Sequence, residues 1–377
     1  MQKKIKVLHV QETIGSGGVE RTRLTLAKHL DKNLFDQKFV CTIAAGNIPE
    51  EISAEGFEVI SIGQLKSPFQ WMQHQKVQRI IEEYQPDIIH GAVFEGVTMA
   101  AINGWLKKVP VIIIEETSDP INRSWKGNLL MRFFSKISDK VIGVSQSVTE
   151  EYLKGKLGIS YTKAFTINNG VAIPRIVLEE EKKQEKLKWG LGENDFVVGS
   201  TGRLLNSHKR FSDLIRAFAS FAKCKEDAKL LLVGDGPDRK SYEQLAKDLG
   251  MSNQVIFTGY QSDVTLFYRM MNVFSLVSAR EAFGLVLAEA MLNKLPVVAT
   301  RVGGMKYIVD DQQTGFLAEP FQVDEFAEKF EFLYRNQETS EKMGDNGYRK
   351  AMANYTEDIY VNNIKNLYLN ASENIKN

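Results

Sequence analysis

Short aliphatic runs recur along the chain, and between them the apolar positions change to a three-and-four spacing. In the first half the runs at 5–10, 38–43, 58–62, 88–90, 111–114, 141–144 and 164–167 predict strands. The intervening stretches 20–30, 70–84, 96–106, 125–137 and 147–154 predict helices. The second half repeats the alternation, with strands at 196–200, 229–233, 255–258, 273–276 and 296–299. Its helices fall at 211–224, 241–250, 264–270, 285–293 and 323–335. Aliphatic strands alternating with helices predict parallel sheets covered on both faces, so the expected class is α/β with two Rossmann-like domains.

Between the halves, Asn168-Asn169-Gly170 and Pro174 form a turn-rich linker. The expected domains are therefore 1–170 and 171–355, followed by a C-terminal helix, 356–377, whose apolar residues Ile359, Tyr360, Ile364, Leu367 and Tyr368 need a surface to pack on. The mixed-charge run 179–186 is expected to be a solvated helix face.

The length of 377 residues suits two domains, and 43% hydrophobic with 25% charged residues is ordinary for a globular protein. A net charge of +1 disfavours nucleic acid as a partner. Cys41 and Cys224 stand far apart in sequence and make no metal-ligand spacing, so a cytoplasmic setting is expected. The N-terminus runs directly into a strand with no signal-peptide core, and no aliphatic run is long enough to span a bilayer.

The candidate chemistry lies in strand-to-helix loops. Open parallel sheets bind ligands outside the carboxyl ends of their strands. Gly15-Ser16-Gly17-Gly18 follows the first strand and opens a helix, yet Glu20 breaks the dinucleotide fingerprint, and the P-loop Gly-Lys-Ser/Thr is missing. A tight turn explains that loop equally well. Arg203 sits just past a strand and Lys209 just before a helix. A planar guanidinium and a compact ammonium suit phosphate oxygens, and a solvated surface loop is the competing reading. Glu281 and Glu289 bracket Gly284, which opens an apolar helix. Eight residues place the two carboxylates about 12 Å apart along an axis, too far for a shared proton or metal. They can instead hold two hydroxyl-bearing rings, with the amides of Phe283, Gly284, Leu285 and Val286 offered to a phosphate between them. Leu231 to Pro237 is expected to be scaffold.

The ordered set GSGGVER, GRLLNSHKRFSDLIRAF, LLLVGDGP, VIFTGY, SAREAFGLVLAEAM, PVVATRVGG and TGFLAEP resembles the retaining glycosyltransferases of family 4, which have the GT-B fold. The resemblance covers nearly the whole chain and is strongest from 196 to 320. It implies two domains facing each other across a cleft, no metal and no cofactor, and a nucleotide-sugar, UDP- or GDP-linked, as donor substrate. Glu281 would hold donor-sugar hydroxyls, Glu289 the ribose, and Arg203 and Lys209 the diphosphate. Gly259 and Tyr260 would lie near the base, and Gly17 and Gly18 would close over the phosphates. The C-terminal helix would cross back to the N-terminal domain. One departure stands out: where many relatives have a histidine after the strand 111–114, this chain has Glu116, carried here as a further catalytic candidate. His90 ends another strand on the same side, and a structural imidazole suits it best.

The acceptor implied is a hydroxyl of a glycan or a lipid-linked molecule, in a setting such as bacterial polysaccharide assembly. Segments 65–79 and 125–136 mix cations with large apolar side chains, a pattern shared by interfacial helices and by helices packed on their own sheet. A peripheral membrane contact through them is one expectation. A nucleotide-sugar 2-epimerase and a non-catalytic sugar-nucleotide sensor are the alternative functions.

Overall fold

A computed structural model describes residues 3–15, 17–65, 67–121 and 123–373. Ser16 of the first glycine loop, Lys66 of the segment 65–79 and the tail beyond Glu373 lie outside the described residues. The chain divides into two compact units, residues 1–170 with 357–377, and residues 171–356.

Unit 1 runs β1 (Ile5–Ile14), α1 (Gly18–His29), β2 (Phe35–Ala44), α2 (Ile48–Ala54), β3 (Glu58–Ser61), α3 (Trp71–Tyr84), β4 (Ile88–Ala92), α4 (Val93–Leu106), β5 (Val111–Glu116), α5 (Trp125–Ile137) and β6 (Lys140–Gly143). A π-helical segment, Ser147–Lys156, then leads into β7 (Ala164–Thr166). The seven strands form one parallel sheet ordered β3-β2-β1-β4-β5-β6-β7. Alternate residues feed opposite faces, as the pleat requires. Leu8, Val10, Ile89 and Ile112 join Val77, Ile81, Met99 and Ala100 of α3 and α4. Val7, Ile88 and Ile113 point the other way and join Leu26 of α1 with Tyr360, Ile364 and Tyr368 of the C-terminal helix.

Unit 2 contains α6 (Glu179–Lys188), β8 (Phe196–Thr201), α7 (Asn206–Lys209), α8 (Phe211–Ala222), β9 (Ala228–Val233), α9 (Arg239–Asp248), β10 (Val255–Phe257), α10 (Thr265–Met270), β11 (Val273–Leu276), α11 (Leu285–Leu292), β12 (Val297–Thr300), α12 (Met305–Ile308), β13 (Gly315–Ala318), α13 (Val323–Arg335) and α14 (Gln337–Asn354). The chain then returns to unit 1 as α15 (Glu357–Glu373). The second sheet is parallel and ordered β10-β9-β8-β11-β12-β13. Phe211, Leu214, Phe218 and Phe221 of α8 pack with Phe326 and Phe330 of α13 in its core. No residue of the charged helix α6 is buried, as its composition predicts.

Four elements of unit 2 are absent from the sequence reading: the four-residue helices α7 and α12, the strand β13 and the helix α14. The strand β13 has four residues and opens on Gly315, whose Cβ would lie 2.0 Å from the carbonyl oxygen of Val297. The 18-residue helix α14 buries glycines where an amphipathic helix ordinarily carries leucines. A Cβ at Gly344 would lie 2.0 Å from the Lys294 carbonyl oxygen, and one at Gly347 would press on Met291. The helix packs by close backbone approach, and that approach removes the apolar period a reader looks for.

A buried polar network ties α15 to the sheet of unit 1. Arg23 on α1 forms an ion pair with Glu115 on β5, both fully out of solvent. The same carboxylate lies 3.2 Å from His90 Nε2, and His90 Nδ1 is 2.6 Å from the Tyr368 hydroxyl on α15. Burial, then the Arg23 charge, pushes the His90 imidazole down to about 4. Burial and the same guanidinium also hold His9 well below the usual histidine range. Burial opposes ionisation of Glu115, but Arg23 and His90 outweigh it and hold the carboxyl at about 2. The unfolded chain therefore takes up protons below pH ~6.5 that these imidazoles refuse. Their stabilisation is complete above that pH and is lost as pH falls toward 4, while that of Glu115 is lost between about 4.5 and 2. Urea unfolding should show stability lower at pH 5 than at pH 7.5 by on the order of 2 kcal/mol per shifted histidine. An unchanged midpoint would contradict neutral buried imidazoles.

Candidate functional site

In the second sheet the chain builds outward from β8 through β9 to β10, then returns to the other side of β8 with β11. Loops leaving β8 and β11 therefore diverge, which opens a crevice at the carboxyl ends of these two strands. Arg203 and Lys209 lie on the first loop and Glu281 on the second. Across the crevice Lys209 Nζ sits 2.6 Å from Glu281 Oε2, with both side chains partly exposed. The Ala279 amide donates to the His208 carbonyl at 2.9 Å, so the loops are joined by backbone as well. Among the described residues the exposed Arg203 guanidinium has no hydrogen-bond or ion-pair partner.

Glycines set the shape of these loops. Gly234, at φ +133°, lies so close to the Arg203 loop that a Cβ would stand 2.0 Å from the Gly202 oxygen. A Cβ on Gly236 would stand 2.4 Å from the Leu204 oxygen. The Leu204 amide donates to Asp235 O at 3.0 Å, and Asp238 N to Leu204 O at 3.2 Å. The Val233-Gly234-Asp235-Gly236 turn is thus the mould in which the Arg203 loop is cast, in keeping with its expected scaffold role. Gly234 N also donates to Gly259 O at 3.0 Å, which places Gly259 and the exposed Tyr260 on the same rim. They follow β10, two strands and about 10 Å of sheet away from β8.

Gly284, at φ +107°, turns the second loop into α11. The first-turn amides of a helix have no intrahelical acceptor, and Gly284 supplies no side-chain cap. Leu285 and Val286 are half-buried there. The Phe283 ring is buried edge-on against Tyr355 at 5.6 Å, so its side chain is core and only its backbone is left for a ligand. Glu289 Oε2 accepts a 2.7 Å bond from the Tyr268 hydroxyl, which is also 2.9 Å from Thr201 Oγ1. Neither Tyr268 nor Thr201 has a motif signal in the sequence. Gly304 is another omission: its amide donates to Glu281 O at 2.9 Å, and a Cβ would lie 2.3 Å from Ala282 O. The glycine pair in the 296–304 stretch carries that signal without revealing its use.

The remaining candidates belong to unit 1. Gly17 caps α1 and Gly18 is its first residue, at the β1–β4 point where the order of that sheet reverses. Val93, after β4 at the same point, holds φ +62°, a strained angle for a β-branched residue. Glu116, the further catalytic candidate, is engaged by its own loop. Its buried carboxylate pairs with Arg123 through both oxygens and accepts from Ser118 N and Oγ at 3.2 and 2.7 Å. Arg123 in turn lies against the rings of Phe94 and Tyr152. The carboxylate that replaces the expected histidine organises its own loop. His90 is the structural imidazole expected of it, sealed in the Arg23 network.

The family model described as Glycosyl transferases group 1 matches residues 181–350, and that described as Glycosyltransferase Family 4 matches 16–175. An uncharacterized glycosyltransferase of Methanocaldococcus jannaschii is 30% identical over 277 residues, 72% of either chain. The N-acetyl-alpha-D-glucosaminyl L-malate synthase of Bacillus anthracis is 31% identical over 253 residues, 66% of this chain and 64% of that relative. Among solved structures, Anabaena HepE in complex with UDP-glucose superposes with a TM-score of 0.83 at 22% identity, over 97% of this chain and 100% of that one. The chain belongs to the family 4, or group 1, glycosyltransferases, and its architecture is the GT-B fold.

Gly304→Ala tests how the Glu281 loop is held. The added methyl has to displace backbone, so a loss of about 1–3 kcal/mol of stability in urea is expected, together with reduced glycosyl transfer.

Proposed function

We propose that the protein transfers a hexose-type unit from a nucleoside-diphosphate sugar, UDP- or GDP-linked, to a hydroxyl of a glycan or lipid-linked acceptor, with retention at the anomeric carbon. The observation that carries this reading is the Lys209–Glu281 contact at the switch point, flanked by Arg203 and by the open amides of α11. In this reading the ammonium orients the Glu281 carboxylate, which accepts hydrogen bonds from donor-sugar hydroxyls. Glu289, held by Tyr268, accepts from the ribose. As the bond between the anomeric carbon and the diphosphate breaks, negative charge grows on the leaving oxygens. Arg203, Lys209 and the amides of Gly284, Leu285 and Val286 are arranged to meet that charge. These groups supply the neutralisation a divalent ion gives elsewhere, which supports a metal-independent reaction. The acceptor oxygen bonds to carbon on the face the diphosphate leaves, and its proton passes to a departing phosphate oxygen. The UDP-glucose complex of HepE supports a uridine donor.

Glu281→Gln and Lys209→Ala should each lower donor-dependent nucleotide release by about 100-fold or more in folded protein. Near-wild-type turnover in both variants overturns the assignment of the site. Thermal-shift titration with UDP-, GDP- and ADP-glucose identifies the base, because a ligand of the native state raises apparent stability by mass action. A rise with the uridine or guanosine donor is expected, and a rise with ADP-glucose alone contradicts the proposed donor class.

A further inference from the structure

We infer that the carboxyl edge of the unit 1 sheet docks on an anionic lipid surface through the starts of α3 and α5. On α5, Trp125, Leu129 and Phe133 recur every fourth residue and remain 71%, 59% and 48% exposed. Met131 and Phe134 on the opposite side are fully buried. The helix therefore already has a core face, and its second apolar stripe stays exposed, with Lys126 over the Trp125 ring and Phe134 beside Phe133 as neighbours from the same helix. Ile121 extends that stripe before the helix, at 64% exposure. A second apolar group precedes and opens α3, where Phe69, Trp71 and Met72 are all exposed.

Topology brings the two groups to one edge. The crossovers β3 to β4, β4 to β5 and β5 to β6 all step in the same direction across the sheet, so right-handed connections put α3, α4 and α5 on one face. Contacts of α4 with both α3 and α5 agree with this. Each helix runs antiparallel to the strands it joins and so begins at their carboxyl edge. Phe69, Trp71, Met72, Ile121 and Trp125 consequently line a common rim.

Charge selects the occupant. Residues 67–79 and 123–136 contain Lys76, Arg79, Arg123, Lys126, Arg132 and Lys136, and no aspartate or glutamate, in a chain whose net charge is only +1. Glu116 takes up Arg123, and the other five cations are exposed. On a helical wheel Arg132 and Lys136 fall on the Trp125–Leu129 side of α5. Large apolar side chains interleaved with unopposed cations match the interface of an anionic bilayer, where tryptophan and basic residues share one depth. A protein partner with an apolar patch would leave this run of cations unanswered. The docking is independent of the transfer chemistry assigned to unit 2.

Co-sedimentation of the full chain with phosphatidylcholine vesicles, with and without phosphatidylglycerol, tests the inference. Binding is expected only with the anionic lipid, and raised salt should weaken it. The triple variant Trp125→Ser, Leu129→Ser, Phe133→Ser should lose roughly tenfold or more of that binding. It should keep its urea midpoint and its nucleotide release, since these side chains are exposed and lie outside the proposed site. Three results overturn the inference: no binding to anionic vesicles, equal binding by the triple variant, or reversible self-association of wild-type protein that the triple variant abolishes. The last would assign the stripe to a second copy of the chain.

Discussion

Backbone resting on backbone, with no Cβ between, is the constraint on which the arrangement of unit 2 depends. Gly234 against Gly202, Gly236 against Leu204 and Gly304 against Ala282 bring neighbouring loops closer than any side chain allows. The ion pair of Lys209 with Glu281 is a consequence of that closeness. Two partly exposed charges contribute little by themselves, and side-chain entropy opposes their meeting. Here the glycine contacts and the bond from Ala279 to His208 fix both loops before the charges meet. The pair then serves to orient a carboxylate, a positional role that asks little of its net stabilisation.

Unit 1 uses a different device. Arg23, Glu115, His90 and Tyr368 form a sealed polar chain from α1 through the sheet to α15. Taking two charges out of water costs several kcal/mol per ion, offset only when partners are close and well aimed. Apolar residues of the same volume would pack α15 at least as firmly. The polar chain adds discrimination, because α15 docked in another register leaves the buried His90 Nδ1 without its Tyr368 partner. Arg123 and Glu116 repeat the device near the surface, where the pair shapes the loop between β5 and α5.

Much of the architecture was legible because it rests on period. Buried parallel strands read as aliphatic runs, and amphipathic helices such as α8, with Phe211, Leu214, Phe218 and Phe221 inward, carry a three-and-four spacing. Helix α14 escaped for the converse reason: glycines at 344 and 347 permit a contact that abolishes the apolar stripe. The sequence offered the Phe283 amide to a ligand and was silent on its ring, which packs on Tyr355, because a ring beside a glycine turn looks the same in sequence whichever way it faces. The contact of Glu116 was not legible because its partner Arg123 stands seven residues on, across a loop whose path no local rule dictates.

By itself the sequence determined the two parallel-sheet units, the linker near residue 170, the connections that carry Arg203, Lys209 and Glu281, and the helix that carries Glu289. Local periodicity and turn chemistry act over a few residues, so a single chain read in order is enough to establish them. Tertiary structure alone decided which side chains meet. It brought Lys209 to Glu281 across 72 residues and Tyr268 to Glu289 across 21. It also placed His90 beside Tyr368 across 278 residues, and closed the Glu116 carboxylate on its own loop. Such pairings follow from strand order, where the chain reverses direction beside β8. That order is a property of the folded sheet, and no short window of residues contains it.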